Sequence, residues 1–362
     1  MLKSTVEFLR CPSCEDRGKL VLNHQKGDRE ASEVSSGNLQ CQSCHKDFPI
    51  LGGVALLVED VETYLCHHVK GISKVVPEQE IPALYREAYI EAKYEWQESA
   101  REHFEEDLES ERVTALYLMT HYLKASQIHS PSPVIQKVIE EYWDHGPFAQ
   151  IKSWLKQDRL SVVELGCGVG GLARALESNI ERYIGVDSSF ASIALARHLN
   201  CGVPYPQDSF FIPDDLILGQ LSRQVQIPVA VHHHRHLDFV VSDFERPPVR
   251  KGSWDVAIAL NALDMVDEPK SLAKAQFDLA RAGGRVIQSC PYIWHETVAE
   301  QLRKEFAKEW KGRGFQSSEI VESLYEKLGL KIKERVDHIP WLFFKHGRQL
   351  EVYSVHAFIA QK

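Results

Sequence analysis

The sequence predicts an α/β protein built on a doubly wound, Rossmann-like sheet, with a small cysteine-held module and a helical region ahead of it. Three observations predict this. Val162-Val163-Glu164-Leu165 is an apolar, β-branched run entering the glycine-rich turn Gly166-Cys167-Gly168-Val169-Gly170-Gly171, and Leu172 to Leu176 then starts an amphipathic helix. Strand, tight turn and helix N-terminus together form the first unit of such a sheet. Further strand-like runs recur downstream, and two Cys-x-x-Cys pairs stand far upstream. The expected division is 1–60 for the module, 61–155 for the helical region and 156–362 for the α/β domain.

Composition bounds the possibilities. A chain of 362 residues is long enough for two or three domains with a sizeable core. The charge is 42 − 51 = −9, which does not suggest tight binding to a phosphate backbone, since that needs clustered Lys and Arg. No apolar run reaches 18 residues, so no transmembrane helix is expected. Met1 to Glu7 lacks the apolar core of a signal peptide, and a cytoplasmic location is expected.

In chain order, the first element is the cysteine module. Four of the eight cysteines stand as Cys11-Pro12-Ser13-Cys14 and Cys41-Gln42-Ser43-Cys44, with 26 residues between the pairs. Two such knuckles match a tetrahedral zinc ion held by four thiolates. A four-sulfur shell leaves no open position, so the zinc is expected to be structural, and a module this small should lose its fold without it. Disulfides are the alternative and are disfavoured in a reducing compartment. His45 is read as a bystander, and the apolar run Val54 to Val58 is expected to pair as a strand or dock on the α/β domain.

The helical region comes next. Pro82 to Arg112 is dense in Glu, Lys, Arg and Ala, with Tyr85, Tyr89, Tyr94, Trp96 and Phe104 at spacings that favour core packing. Val113 to Leu123 reads as a second, apolar helix carrying His121 and Tyr122, which are candidates to lid a bound cofactor. Ser130-Pro131-Ser132-Pro133 marks a loop, and Val134 to Trp154 reads as one or two further helices.

The glycine turn calls for a nucleotide-like ligand, because glycines let the backbone approach it closely. Gly166, Gly168 and Gly171 also satisfy the dinucleotide pattern, so the turn alone leaves the cofactor open. Three features separate the readings. Glu164 would repel a pyrophosphate but suits an ammonium, bound directly or through water. Asp187, succeeded by Ser188, ends the next strand, where a carboxylate can accept both ribose hydroxyls. Asp238 to Phe244 reads as a third strand, ending in Asp243 and Phe244 where an adenine would be gripped. Trp254 to Asn261 is an apolar run expected of a central parallel strand, Gly283 to Ser289 is the next strand, and Leu330 to Val336 with Glu351 to Ala360 reads as a closing antiparallel pair. Asn261, Asp264, Tyr292, Trp294 and His295 fall at two neighbouring strand ends.

In these residues the chain resembles the class I S-adenosylmethionine-dependent methyltransferases over roughly 110–362. The resemblance implies a seven-stranded sheet with helices on both faces and S-adenosylmethionine as cofactor. It also implies a binding set of Glu164, Gly166, Cys167, Gly168, Gly170, Asp187, Ser188, Asp243, Phe244 and Asn261. Residues 1–60, with Leu39 to Cys44, Phe48-Pro49-Ile50 and Gly53 to Leu57, resemble the small zinc-binding activator protein that partners tRNA, rRNA and release-factor methyltransferases. The segments Leu116 to Tyr122, Gly166 to Gly170, Leu260 to Asp264 and Cys290 to Trp294 are similar, in order, to the methyltransferase domain of ovothiol-synthesising enzymes, which methylates an imidazole nitrogen of mercaptohistidine.

The expected activity is therefore methyl transfer to a small polar or heteroaromatic acceptor of histidine or thiol type. The alternative is an RNA or protein methyltransferase with residues 1–60, read as a zinc ribbon, as built-in activator or substrate-binding module. A third possibility, a cofactor-binding scaffold without chemistry, sits poorly with the intact acidic and glycine set. His295 is the one natural base near pH 7 among the strand-end residues, and Tyr292 and Asp264 complete the catalytic candidates. The long segment Cys201 to His236 departs from the family and carries His232-His233-His234-Arg235-His236, read as an exposed polar edge or loop, because adjacent side chains alternate faces of a strand.

Overall fold

The computed structural model describes residues 1–24, 32–99, 104–156, 159–206, 209–213, 222–230, 236–310 and 315–362. Strands β1 (Leu20–His24), β2 (Gly37–Cys41), β3 (Asp47–Leu51) and β4 (Val54–Ala55) form an antiparallel sheet in sequence order. The α-helices that come after it are α1 (Val61–His67), α2 (Val69–Ser73), α3 (Ala83–Ser99), α4 (Phe104–Tyr122), α5 (Pro133–Tyr142) and α6 (Pro147–Trp154). Pro133 and Pro147 each open a helix, where the missing N–H costs nothing.

The remainder alternates strand and helix. In order come β5 (Leu160–Leu165), α7 (Gly171–Leu176), β6 (Ile180–Asp187), α8 (Phe190–Cys201), the hairpin β7 (Ser209–Pro213) and β8 (Ser222–Gln226), β9 (Leu237–Val241), β10 (Trp254–Leu260), α9 (Pro269–Leu279) and β11 (Ala280–Cys290). Helices α10 (Glu296–Trp310) and α11 (Ser317–Lys327) precede the closing strands β12 (Lys331–His346) and β13 (Gln349–Gln361). The main sheet has the order β12-β13-β11-β10-β5-β6-β9. Strands β9, β6, β5, β10 and β11 run parallel, and β13 joins β11 antiparallel. This is the expected seven-stranded, Rossmann-like sheet. Strand order reverses between β5 and β10, which places the binding crevice beyond their carboxyl ends.

Both sheet faces are buried, and side-chain alternation divides them. Val163, Leu165, Ile184, Val186, Ala257 and Phe358 share one apolar core with α9 and α11. Val162, Tyr183, Phe239, Val256, Ile258 and Ile359 share the other with α7 and α8.

The run Val54 to Val58 does both things expected of it. Val54–Ala55 pairs with β3, then Leu57 donates to Val241 O at 2.8 Å while Ser242 Oγ donates to Leu57 O at 2.6 Å. Beside this seam lies Arg197 of α8, fully buried, paired with Asp238 at the start of β9 and with Glu33. Asp238 Oδ2 also accepts from Leu2 N at 2.8 Å and Thr5 Oγ1 at 2.7 Å.

Several boundaries differ from the sequence reading. The apolar helix set at Val113 to Leu123 begins at Phe104, because its polar first half belongs to the same helix. Strand β12 runs on to His346 instead of ending near Val336: a bulge at Asp337-His338, with His338 at φ +60°, shifts the register and hides the continuity. Helices α1, α2, α10 and α11 are additions to the expected elements. His232 to Arg235 lie outside the described residues. Among the described residues no helix is long and apolar enough to cross a membrane.

Replacing Arg197 with Met leaves Asp238 buried without its counter-charge. We expect a loss of about 3–5 kcal/mol of unfolding free energy, read by denaturant titration; a change below about 1 kcal/mol would show that the pair is dispensable to the seam.

Candidate active site

The crevice is built from the turn after β5. Gly166, Gly168 and Gly170 have φ of +73°, +51° and +78°, the left-handed region that glycine enters without Cβ strain. A Cβ on Gly166 would sit 2.8 Å from the Ala262 side chain, and one on Gly170 would meet Ala196, Asn200 and Phe239 at 2.9 Å. The turn is thus squeezed between the β10 loop and α8. Gly166 N and Cys167 N both donate to Val186 O, at 2.8 and 3.1 Å, locking it to β6. Cys167 is buried, and burial pushes its thiol well above the ordinary range, so it is a packing group with no thiolate chemistry.

Asp187 ends β6 as expected. Its Oδ2 accepts from Gly168 N at 2.8 Å and its Oδ1 from Ser189 N at 2.9 Å. Burial raises its pKa against these stabilising N–H donors. Ser188 is exposed, and its carbonyl accepts from Tyr64 Oη of α1 at 2.6 Å. Asp243 is exposed and accepts from Glu245 N at 2.8 Å, while Phe244 is half-buried against the core shared with the ribbon.

The helical region covers this turn. Tyr122 Oη donates to Val169 O at 2.5 Å and accepts from Asn200 Nδ2 at 2.9 Å. His121 Nδ1 accepts from Gly171 N at 3.3 Å, which needs a neutral ring, and burial holds its pKa at about 3. Phe148, Trp341 and Tyr117 surround that ring at 5.0, 5.7 and 5.9 Å between centroids. Tyr64 and Asn200 escape sequence reasoning. Nothing local marks Tyr64, whereas Asn200 is a polar residue closing an apolar helix.

Glu164 is the acid expected to suit an ammonium, directly or through water. It is buried on the α7–α8 face of the sheet, where Tyr183 Oη donates to its Oε2. The cause is strand alternation: Glu164 shares its face with Val162 and Tyr183, while Val163 and Leu165 take the other. Burial pushes its pKa up to about 8, partly opposed by the tyrosine hydrogen bond.

The ends of β10 and β11 come together beside the turn. Ser289 Oγ donates to Asn261 Oδ1 at 3.0 Å, and Ile293 N donates to the buried Asp264 Oδ2 at 2.7 Å. Asn261 and Tyr292 both have positive φ, +50° and +61°, a strained backbone held by these contacts. Tyr292 Oη hydrogen-bonds His356 Nδ1 at 2.7 Å, and its ring stacks on Trp294. His295 lies exposed just ahead of α10 and hydrogen-bonds Thr297 Oγ1 at 2.9 Å. His356 and its partner Glu322 escape the sequence reading, although a histidine inside the apolar run Val355 to Ala360 is a signal.

The four module cysteines converge: their sulfurs all lie within 4.8 Å of one another. Cys11 and Cys44 are 3.7 Å apart and Cys14 and Cys41 3.8 Å. A tetrahedral zinc with Zn–S near 2.3 Å requires about 3.8 Å between sulfurs, so the set fits that ion. Ser13 N and Ser43 N point at Cys11 Sγ and Cys41 Sγ, both at 3.4 Å, which would stabilise thiolates.

A family model described as a methyltransferase domain matches residues 138–358. No curated protein matches the chain. Among solved structures, a methyltransferase in complex with the Haloferax volcanii Trm112 methyltransferase activator aligns at 16% identity. That alignment covers 62% of this chain and 91% of the other, with a TM-score of 0.39. Magnesium protoporphyrin IX methyltransferase from Synechocystis, with bound SAH, aligns at 16% identity over 69% of this chain and 92% of its own, with a TM-score of 0.41.

Glu164 has a folded pKa above its unfolded one, so its neutral form favours folding, and stability falls as pH rises from the ordinary carboxylate range through about 8. Glu164→Gln should remove a decline on the order of 4 kcal/mol between about pH 5 and pH 8 in ligand-free protein; an unchanged decline would place its source elsewhere. Elemental analysis should find one zinc per chain. Cys41→Ser or chelation should abolish that zinc and expose Phe48 and Leu57 to protease or hydrogen exchange.

Proposed function

The chain belongs to the methyltransferase-domain family, and we propose that it moves the methyl group of S-adenosylmethionine onto a small polar or heteroaromatic acceptor of histidine or thiol type. The observation that carries this reading is the left-handed glycine turn at the end of β5, faced by Asp187 and covered by His121 and Tyr122. When bound, the cofactor supplies an electrophilic methyl on a sulfonium.

The chain's residues then divide the work. The N–H groups of Gly168 and Ser189 hold the Asp187 carboxylate at the strand end, where it would receive the ribose hydroxyls. Gly166, Cys167, Gly168 and Gly170 would offer backbone to the amino-acid portion, with Ser188 beside the ribose and Asp243 and Phe244 flanking the base. Glu164 would act beneath the turn through Tyr183. Asn261, Asp264, Tyr292 and His295 would line the acceptor side. Methyl transfer is an in-line displacement, so the two strand ends that Ser289 and Ile293 tie in place serve mainly to align acceptor and methyl. The zinc held by Cys11, Cys14, Cys41 and Cys44 would fasten the ribbon, which the Arg197 seam joins to the sheet.

One observation favours a second reading, transfer to RNA. Between the ribbon and α9 lies a groove of about 510 Å³ lined by Arg17, Arg246, Lys251, Lys270 and Lys274, against Glu15, Glu245 and Asp278. This is a local basic excess on a chain of net charge −9. Four of the five cations are already paired, Lys251 and Lys274 with Asp278, Arg246 with Glu59 and Lys270 with Glu305, so the small-acceptor reading stands first.

Calorimetry of the zinc-loaded protein should show binding of S-adenosylmethionine and none of NAD. Asp187→Ala should weaken that binding about 10- to 100-fold, the usual size for a lost hydrogen bond to a charged group. With methyl-labelled cofactor, L-histidine and 2-mercaptoimidazole should gain label in preference to RNA. NAD binding alone would overturn the family's usual cofactor for this chain, and labelling of RNA alone would move the assignment to the second reading.

A further inference from the structure

We propose that Tyr292, His356 and Glu322 form a proton relay that receives the proton released by the methyl acceptor, an inference that rests on the methyl-transfer reading of this crevice. The groups come from three separate elements. Tyr292 stands just after β11 at the ligand-binding edge, His356 lies on β13 opposite Cys290, and Glu322 lies on α11. Tyr292 Oη is 2.7 Å from His356 Nδ1, and His356 Nε2 is 3.2 Å from Glu322 Oε1. His356 is 4% exposed. The second oxygen of Glu322 accepts from Arg335 Nη1 at 2.6 Å.

The chain of partners fixes the direction. Glu322, as a carboxylate, can only accept, so Nε2 carries the imidazole proton and Nδ1 is left to accept from the Tyr292 hydroxyl. The phenol oxygen then has lone pairs for an acceptor N–H or S–H. This places a base at the site through a carboxylate–imidazole pair whose imidazole is buried, whereas the exposed His295 is held by Thr297. Strain points the same way: Tyr292 is kept at φ +61° by the Ile293–Asp264 bond one residue on.

In the transfer, the acceptor–methyl bond forms as the sulfonium–methyl bond breaks, and that electron pair stays on sulfur as a thioether. The acceptor's proton passes to Tyr292 Oη, and the tyrosine's own proton passes to His356 Nδ1. The product is an imidazolium between Tyr292 and Glu322, which later loses its proton to water. The charged or titratable groups acting on His356 are Glu322 of α11, Asp337 and Arg335 of β12, and Tyr292. Burial outweighs the two acids and lowers the imidazole pKa, so the ring is neutral and ready to accept at neutral pH. Burial raises the Tyr292 phenol far above its usual range, so a free phenolate is avoided and the two proton movements must be concerted.

The test uses the zinc-loaded chain of 362 residues. Side-chain nitrogen NMR should show His356 as the Nε2–H tautomer with a pKa below that of a free histidine, and Glu322→Gln should change that tautomer balance. With S-adenosylmethionine and either L-histidine or 2-mercaptoimidazole, His356→Asn and Tyr292→Phe should lower kcat by about 100-fold or more. Cofactor affinity should stay unchanged, and the low-pH limb of the wild-type rate profile should disappear. Tyr292→Phe removes one oxygen and guards against misfolding of the buried histidine variant. Full turnover with an unaltered pH profile in folded Tyr292→Phe protein would overturn the relay, as would an Nδ1–H tautomer of His356. If wild-type protein binds the cofactor but turns over neither acceptor, the acceptor reading fails, and the relay is then judged by the tautomer measurement alone.

Discussion

The buried guanidinium of Arg197 is the interaction on which the arrangement of the chain depends. It belongs to α8, pairs with Asp238 at the start of β9, and reaches Glu33 in the ribbon. Three elements distant in sequence meet at one charge. A buried cation is costly unless fully compensated, so α8, β9 and the ribbon can move apart only by exposing or orphaning it. Asp238 adds two further anchors, from Leu2 N and Thr5 Oγ1. The ribbon is thereby part of the sheet's edge, sharing apolar core through Phe48, Ile50 and Leu57.

That rigidity reaches the crevice. With β9 and α8 fixed, Asn200 holds both Tyr122 Oη and Gly170 O, so α4 lies on the glycine turn through hydrogen bonds instead of through apolar contact alone. Tyr64 adds a second clasp on the carbonyl of Ser188. The cover is therefore built from two stretches of the helical region, α1 and α4, each landing on the end of a different strand. Such a cover can exclude water from a displacement reaction and hold the turn in its left-handed conformation.

The two sides of the crevice differ in chemical character. The turn side presents left-handed glycine backbone and the Asp187 carboxylate. The other side, after β10 and β11, carries Asn261, Asp264 and Tyr292, with His356 and Glu322 behind them. One side is thus glycine backbone with a single carboxylate, and the other a cluster of polar and titratable side chains. The four-cysteine cluster stands apart from both, in the ribbon.

Local pattern in the sequence by itself determined the first strands, the glycine turn and the cysteine cluster. The apolar runs mark the parallel strands, and the paired cysteines converge at tetrahedral spacing. Asp187 and the meeting of Asn261 with the β11 end were legible because residues after parallel strands must lie on one edge of the sheet. Contacts between distant residues decided the rest. The face that Glu164 takes depended on strand alternation against Tyr183. The continuity of β12 was hidden by a polar bulge at Asp337-His338. His356 and Glu322 meet Tyr292 only because β13 and α11 pack beside β11. Buried polar partners come from elements remote in sequence, so tertiary structure alone decided which ionisable groups face one another and which face water.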